Sequence, residues 1–283
     1  FDLAHQGVFD LGRVHTLVLD EADRMLDLGF IEDIRRVKRM LPREHQTLFV
    51  SATINPDIKK IAYDLIRSQA IRIQISPDDP VSKNVEHAVI HVKADEKRAF
   101  LARFLMEHPA SKVVVFLRTR VRVERVAAFL EKSGHPSRII HGELAQAERT
   151  ATLDRFREEN SGLLLATDVS ARGIDVPGVH YVINFDLPDD PEVYVHRIGR
   201  TGRGHSKGIA IAFSSPEEQP KLDAIEHYLG TSLPVIHLGK SEYTKTLALF
   251  PEEGAEDPKA FIREYENWVE ERLSRKRKGR KKG

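Results

Sequence analysis

The 283-residue sequence contains no cysteine, which excludes disulfides and thiolate metal sites. No apolar run reaches the roughly 20 residues that a membrane-spanning helix requires. Aromatic residues make up 7% of the chain and are not interleaved with the basic ones, an arrangement that does not suggest base-stacking readout of a nucleic acid. No Gly-x-x-x-x-Gly-Lys-Ser/Thr occurs, so a loop of the kind that cradles nucleotide phosphates is missing. The first residue is Phe1 rather than Met, and with the missing loop this reads as a fragment of a longer protein. Net charge is nearly absent too, at +1, but the balance is misleading. Arg275, Lys276, Arg277, Lys278, Arg280, Lys281 and Lys282 supply seven positive charges, and without them the remainder stands at −6. A mildly acidic body with a basic tail would hold nucleic acid through local patches, not through overall charge.

What is present fits one or two globular domains, with 41% hydrophobic and 31% charged residues. Residues 14–19 and 47–50 read as short buried strands, and residues 71–75 alternate as a third. Apolar spacing at Ile31, Ile34, Val37 and Leu41 predicts a helix over 31–41, and Pro56 suits the first turn of another over 56–66. The polar, turn-rich stretch around Pro77-Asp78-Asp79-Pro80 sets the expected boundary, with a first domain over 1–76 and a linker over 77–84. From 85 to 240 strands are expected at 85–92, 112–117, 137–141, 162–166, 181–185 and 208–213, with helices over 96–108 and 121–132. Short buried strands alternating with helices predict an α/β fold with mostly parallel sheets covered on both faces. An acidic linker over 241–257, a helix over 258–273 and the basic tail over 274–283 complete the expected organisation.

In such folds functional loops gather at the carboxyl ends of the strands, and there the chemistry-bearing residues fall. Asp20-Glu21-Ala22-Asp23 follows the first strand; an acidic pair so placed can hold a hydrated Mg²⁺ and position an attacking water. Ser51-Ala52-Thr53 follows the next strand and can hydrogen-bond carboxylates, although small hydroxyl residues there are most often turn formers. Thr119 and Arg120 end one strand of the second segment. His141-Gly142 ends another, with Gln146 and Arg149 just beyond; these residues suit a grip on a sugar–phosphate track. Thr167-Asp168 leads into Arg172-Gly173-Ile174-Asp175, where Gly permits close backbone approach to phosphate and Asp175 can accept a ribose hydroxyl. His196-Arg197-Ile198-Gly199-Arg200-Thr201-Gly202-Arg203 is an arginine array suited to a triphosphate, since positive charge at the transferred phosphoryl group accelerates its transfer. A basic surface loop that binds nucleic acid is the plainer reading of the array.

Taken in order, these six motifs resemble those of DEAD-box ATP-dependent RNA helicases, over about residues 1–240. The resemblance implies tandem RecA-like domains, the first incomplete here, which use ATP and Mg²⁺ to remodel RNA in the cytoplasm. It implies that Asp20 and Glu21 serve the metal and the attacking water. It implies that Asp23 and His196 link the domains and that Ser51 and Thr53 couple hydrolysis to strand separation. Arg200 and Arg203 would be arginine fingers and Asp175 a ribose contact. Thr119, Arg120, Gly142, Gln146, Arg149, Thr167, Arg172 and Gly173 would meet the RNA backbone. Glu143 departs from the family pattern, which more often has Asp there. The fragment alone is expected to lack activity. A non-catalytic RNA-binding or partner-docking module, and a DNA helicase of the same superfamily, are the competing readings.

Overall fold

A computed structural model describes residues 4, 6–27, 29–42, 44–51, 56–66, 70–73, 81–168, 176–204 and 206–250. The chain divides into two compact units, Phe1–Ser76 and Pro77–Gly283.

In the first unit, β1 (Thr16–Leu19) pairs in parallel with β2 (Gln46–Phe49), Leu19 opposite Phe49. Between them run α1 (Ala22–Asp27) and α2 (Ile31–Met40), and α3 (Pro56–Leu65) follows. A small core gathers Leu19, Ala22, Ile34 and Leu65. Much apolar surface is left open: Val18 is 54% exposed and Leu48 44%. The strand expected over 71–75 does not form within its described part. Ile71 and Ile73 lie outside any strand and are largely exposed. An alternating segment becomes a strand only when a neighbour completes its hydrogen bonds, and β1 and β2 pair with each other.

The second unit is built on a six-stranded parallel sheet in the order β3-β8-β7-β4-β6-β5. Its strands are β3 (Val85–His91), β4 (Lys112–Phe116), β5 (Arg138–Ile140), β6 (Gly162–Ala166), β7 (Tyr181–Asn184) and β8 (Gly208–Ser214). β4 is buried along its whole length, as expected of a strand covered on both faces. Alternate residues feed two cores. Val114, Phe116, Leu164, Val182 and Ala210 enter one, with Tyr194 and Ile225. Val113, Val115, Leu165, Ile183 and Ile211 enter the other, with Leu101 and Leu130. The covering helices include α4 (Lys97–Glu107), α5 (Arg120–Lys132), α6 (Gln146–Glu158), α7 (Pro191–Ile198) and α8 (Gln219–Leu229).

Residues 241–249, read from sequence as linker, belong instead to a helix, α9 (Lys240–Leu249). Tertiary contacts dock it on α4. The Tyr243 ring lies 4.7 Å from that of Phe100, its hydroxyl donates to Glu96, and Arg103 reaches Glu242 Oε1 at 2.8 Å and Thr246 Oγ1 at 2.6 Å. The helix and tail expected over 258–283 lie outside the described residues. Among the described residues, no helix is long and apolar enough to cross a membrane.

Candidate functional site

The carboxylate motif lies where β1 ends. Asp20 is exposed, and its Oδ1 accepts from Glu21 N at 2.9 Å. Glu21 has φ +50°, the one positive value at a non-glycine among the described residues. A side chain in that region costs roughly 1–3 kcal/mol and persists only where the surroundings enforce it. Here the next residue is tied to the neighbouring strand end, Ala22 N donating to Val50 O at 3.0 Å. The same bond brings the loop carrying half-buried Ser51 beside the carboxylate turn. Asp23, 8% exposed, lies in the first turn of α1. Thr53 lies outside the described residues. Mg²⁺ takes one or two carboxylates and keeps several waters. The donors of Asp20 and Glu21 fit such a hydrated ion, while no group of three or more ligating side chains suited to a fully caged metal occurs among the described residues.

In the second unit the candidate RNA contacts occupy the carboxyl ends of three adjacent strands, β4, β6 and β5. Thr119 caps α5, its Oγ1 accepting from Arg122 N at 3.3 Å. Arg120 pairs with Glu143, which ties the loop after β4 to the loop after β5. A second tie lies one turn along α5, where Glu124 stands 3.6 Å from His141. Gly142 and Gln146 are exposed, and Arg149 is half-buried on α6. Thr167 is the inward member, 8% exposed, with its N–H on Ile140 O at 3.3 Å. Arg172, Gly173 and Asp175 lie outside the described residues.

The arginine array is held at the end of α7. Asp190 caps that helix by accepting from Glu192 N at 2.9 Å, and Pro191 opens it. Half-buried His196 is on its last turn. Arg200 Nε donates to His196 O at 3.2 Å, and the exposed Arg203 donates from Nε to Gly199 O at 3.2 Å. The turn between them is tightly packed. Thr201 is 2% exposed and donates to Val179 O. Gly202 has φ +67°, and a Cβ there would stand 2.6 Å from Val85 Cγ2 and 2.8 Å from Asn84 O. Only glycine satisfies both the conformation and the contact.

The group that anchors this array does not stand out in the sequence. Arg197, 3% exposed, makes a two-pronged pair with Asp168 at 2.6 and 2.8 Å. It also donates to Asn184 Oδ1 at 2.9 Å and Asp186 O at 2.7 Å. This joins the strand end that carries Thr167 to the helix that leads into Arg200, in the bidentate geometry particular to guanidinium. The available signal was spacing, since Tyr194, Arg197 and Ile198 share one helical face and are buried together. A second buried pair, Lys97 with Glu218, lies at the carboxyl end of the same sheet. Burial pulls the Lys97 ammonium below its ordinary value, and Glu218 opposes that shift.

Residues 2–61 match the DEAD/DEAH box helicase family and residues 96–205 match the helicase conserved C-terminal domain. The ATP-dependent RNA helicase RhlB of Shewanella sp. (strain ANA-3) is 39% identical over 236 residues, covering 83% of this chain and 54% of the relative. The chain thus spans about half the length of the curated relatives it matches. Among solved structures, S. cerevisiae Dbp5 bound to RNA and ADP BeF3 is similar with a TM-score of 0.74 and 30% identity, over 88% of this chain and 66% of that one. The E. coli DEAD-box protein SrmB, bound to regulator of ribonuclease activity A, is 32% identical with a TM-score of 0.51, over 61% of this chain and 98% of that one.

Proposed function

The chain belongs to the DEAD-box RNA helicase family, and we propose that it carries the carboxylate, arginine and RNA-contact motifs of an ATP-driven RNA-remodelling enzyme. Turnover requires a phosphate-binding loop that these 283 residues do not contain. In this reading Asp20 holds Mg²⁺ through water, and Glu21 orients the water that attacks the terminal phosphate. Bound Mg²⁺ supplies charge neutralisation on the phosphates. Arg200 and Arg203 stabilise the charge that spreads over the transferred phosphoryl group, and Asp175 accepts a ribose hydroxyl. Asp23 and His196 take coupling roles, while Ser51 and Thr53 relay the nucleotide state. Thr119, Arg120, Gly142, Gln146, Arg149, Thr167, Arg172 and Gly173 grip the RNA backbone, which positions a strand without reading its sequence. The basic tail is an additional RNA anchor.

The observation that carries this reading is the Glu21 turn, a costly backbone conformation held by the Ala22–Val50 bond at the point where two acidic side chains leave a parallel strand. Strain of this kind gathers at functional sites. The test is RNA-stimulated phosphate release. The 283-residue chain should turn over negligibly, and a protein extended upstream through a phosphate loop should turn over readily. Glu21→Gln in the extended protein should lower the rate by about 10²–10⁴-fold, the range of a lost acid–base group. Robust turnover by the 283-residue chain, or an active Glu21→Gln enzyme, would overturn the assignment.

A further inference from the structure

The turn after β7, Phe185-Asp186-Leu187, is pinned at each of three successive residues by a different charged side chain. Lys97 Nζ donates to Phe185 O at 2.7 Å. Glu218 Oε1 accepts from Leu187 N at 3.2 Å. Between them Asp186, 1% exposed, uses all of its groups. Its N–H donates to Phe116 O at 3.3 Å and its carbonyl accepts from Arg197. Its carboxylate reaches across to the end of β4, where Oδ2 accepts from Arg118 N at 3.0 Å and Oδ1 pairs with Arg122 at 2.9 Å. Arg118 and Arg122 bracket Thr119 and Arg120. One buried carboxylate therefore holds both sides of the corner, from Arg118 to the first turn of α5, that carries two candidate RNA contacts, and its own backbone is tied to the guanidinium that anchors the arginine helix.

We propose that Asp186 is a positioning residue for RNA binding: it fixes the strand-to-helix corner over 118–122 in the geometry that grips the backbone and links that corner to Arg197. The inference rests on the RNA-contact reading of Thr119 and Arg120. Asp186 touches no RNA itself. Its arrangement explains why an acidic group is buried beside a surface that must accept a polyanion. Coulomb attraction alone would favour its removal, whereas positioning requires it.

That opposition of sign supplies the test. The 283-residue chain is titrated with a labelled, unstructured single-stranded RNA, and amide hydrogen exchange is followed in the free protein. Asp186→Asn removes one negative charge, so a purely electrostatic role predicts tighter binding. Positioning predicts binding weaker by about tenfold, within the range of couplings between groups of one network, with faster exchange confined to residues 118–122. Arg122→Lys keeps the charge, lies at a half-exposed position, and cannot reproduce the guanidinium geometry. It should weaken binding in the same direction, and it decides the matter if Asp186→Asn does not fold. Thr119→Ala and Arg120→Ala report on the underlying reading. If they weaken binding while Asp186→Asn and Arg122→Lys do not, the positioning role is wrong and the contacts stand. If they have no effect, the RNA reading of the corner fails, and with it this inference.

Discussion

The two units differ in how much they hold within themselves. In Phe1–Ser76 a two-stranded sheet carries the carboxylates over a small core, and Val18, Leu48 and Val50 remain about half exposed. In the second unit six strands are paired, two cores fill the faces of the sheet, and the arginine array is bolted to them through Arg197, Thr201 and Gly202. The contrast teaches that preorganisation and chemical identity are separate properties of a motif. In this 283-residue chain Asp20 and Glu21 have the groups proposed for catalysis on a lightly supported strand end. Arg200 and Arg203 have theirs on a turn fixed by packing that leaves no room even for a Cβ.

The largest effect sharpens the contrast by asking both units for the same chemistry. In a protein extended through a phosphate loop, Arg200→Ala should lower RNA-stimulated ATP hydrolysis by about 10³-fold or more. Phosphate release measured at saturating RNA checks this; a loss under tenfold would remove Arg200 from the site. Next in size is stability. Arg197→Ala leaves Asp168 without its guanidinium, and Asn184 Oδ1 and the Asp186 carbonyl without this donor, at a cost of about 3 kcal/mol. Thermal unfolding should show the loss in the transition of the second unit. Leu65→Ala, in the sparse core of the first, should leave that transition in place. A common shift of all signals would mean that the units unfold as one.

A smaller effect concerns the proposed tail anchor, in which seven cations would neutralise phosphates and release counterions. Deleting residues 275–283 should weaken binding to RNAs of any sequence and flatten the dependence of affinity on salt. Superimposable titrations of intact and shortened chains would leave the tail without that role. The smallest concerns α9. Burial, helped by the hydrogen bond to Glu96, pushes the Tyr243 phenol up to about 12 from an ordinary 10.0. The folded protein then holds this proton more tightly than the unfolded chain does. The contribution to stability is complete below pH 10 and is lost as the pH rises through about 12. Tyr243→Phe should abolish this alkaline component, read as the pH dependence of the melting temperature.

The strands of the second unit were legible because a parallel strand buried on both faces must be an unbroken apolar run, as at Val113-Val114-Val115-Phe116. The helices at its margin were not. α6 buries only Leu153 and Phe156 along its length, and α9 buries only Thr246 fully, its short apolar stripe of Tyr243 and Leu247, with Phe250 just beyond, being partly buried against the second core. α9 docks through contacts to Phe100 and Arg103, which lie far from it in sequence. Ile71 and Ile73 show the converse, a strand pattern without a strand. The motifs could be read because their residue types and order are local. Arg197 with Asp168 and Asp186 with Arg118 and Arg122 could not, because each pair meets only once the sheet brings distant strand ends together.

Native-state hydrogen exchange on the 283-residue chain tests the contrast between the units most directly. Amides of β4, β6 and β7 should exchange only through global opening of the second unit, while those of β1 and β2 exchange through low-cost local opening. Protection in β1 and β2 equal to that in β4, β6 and β7 would contradict it.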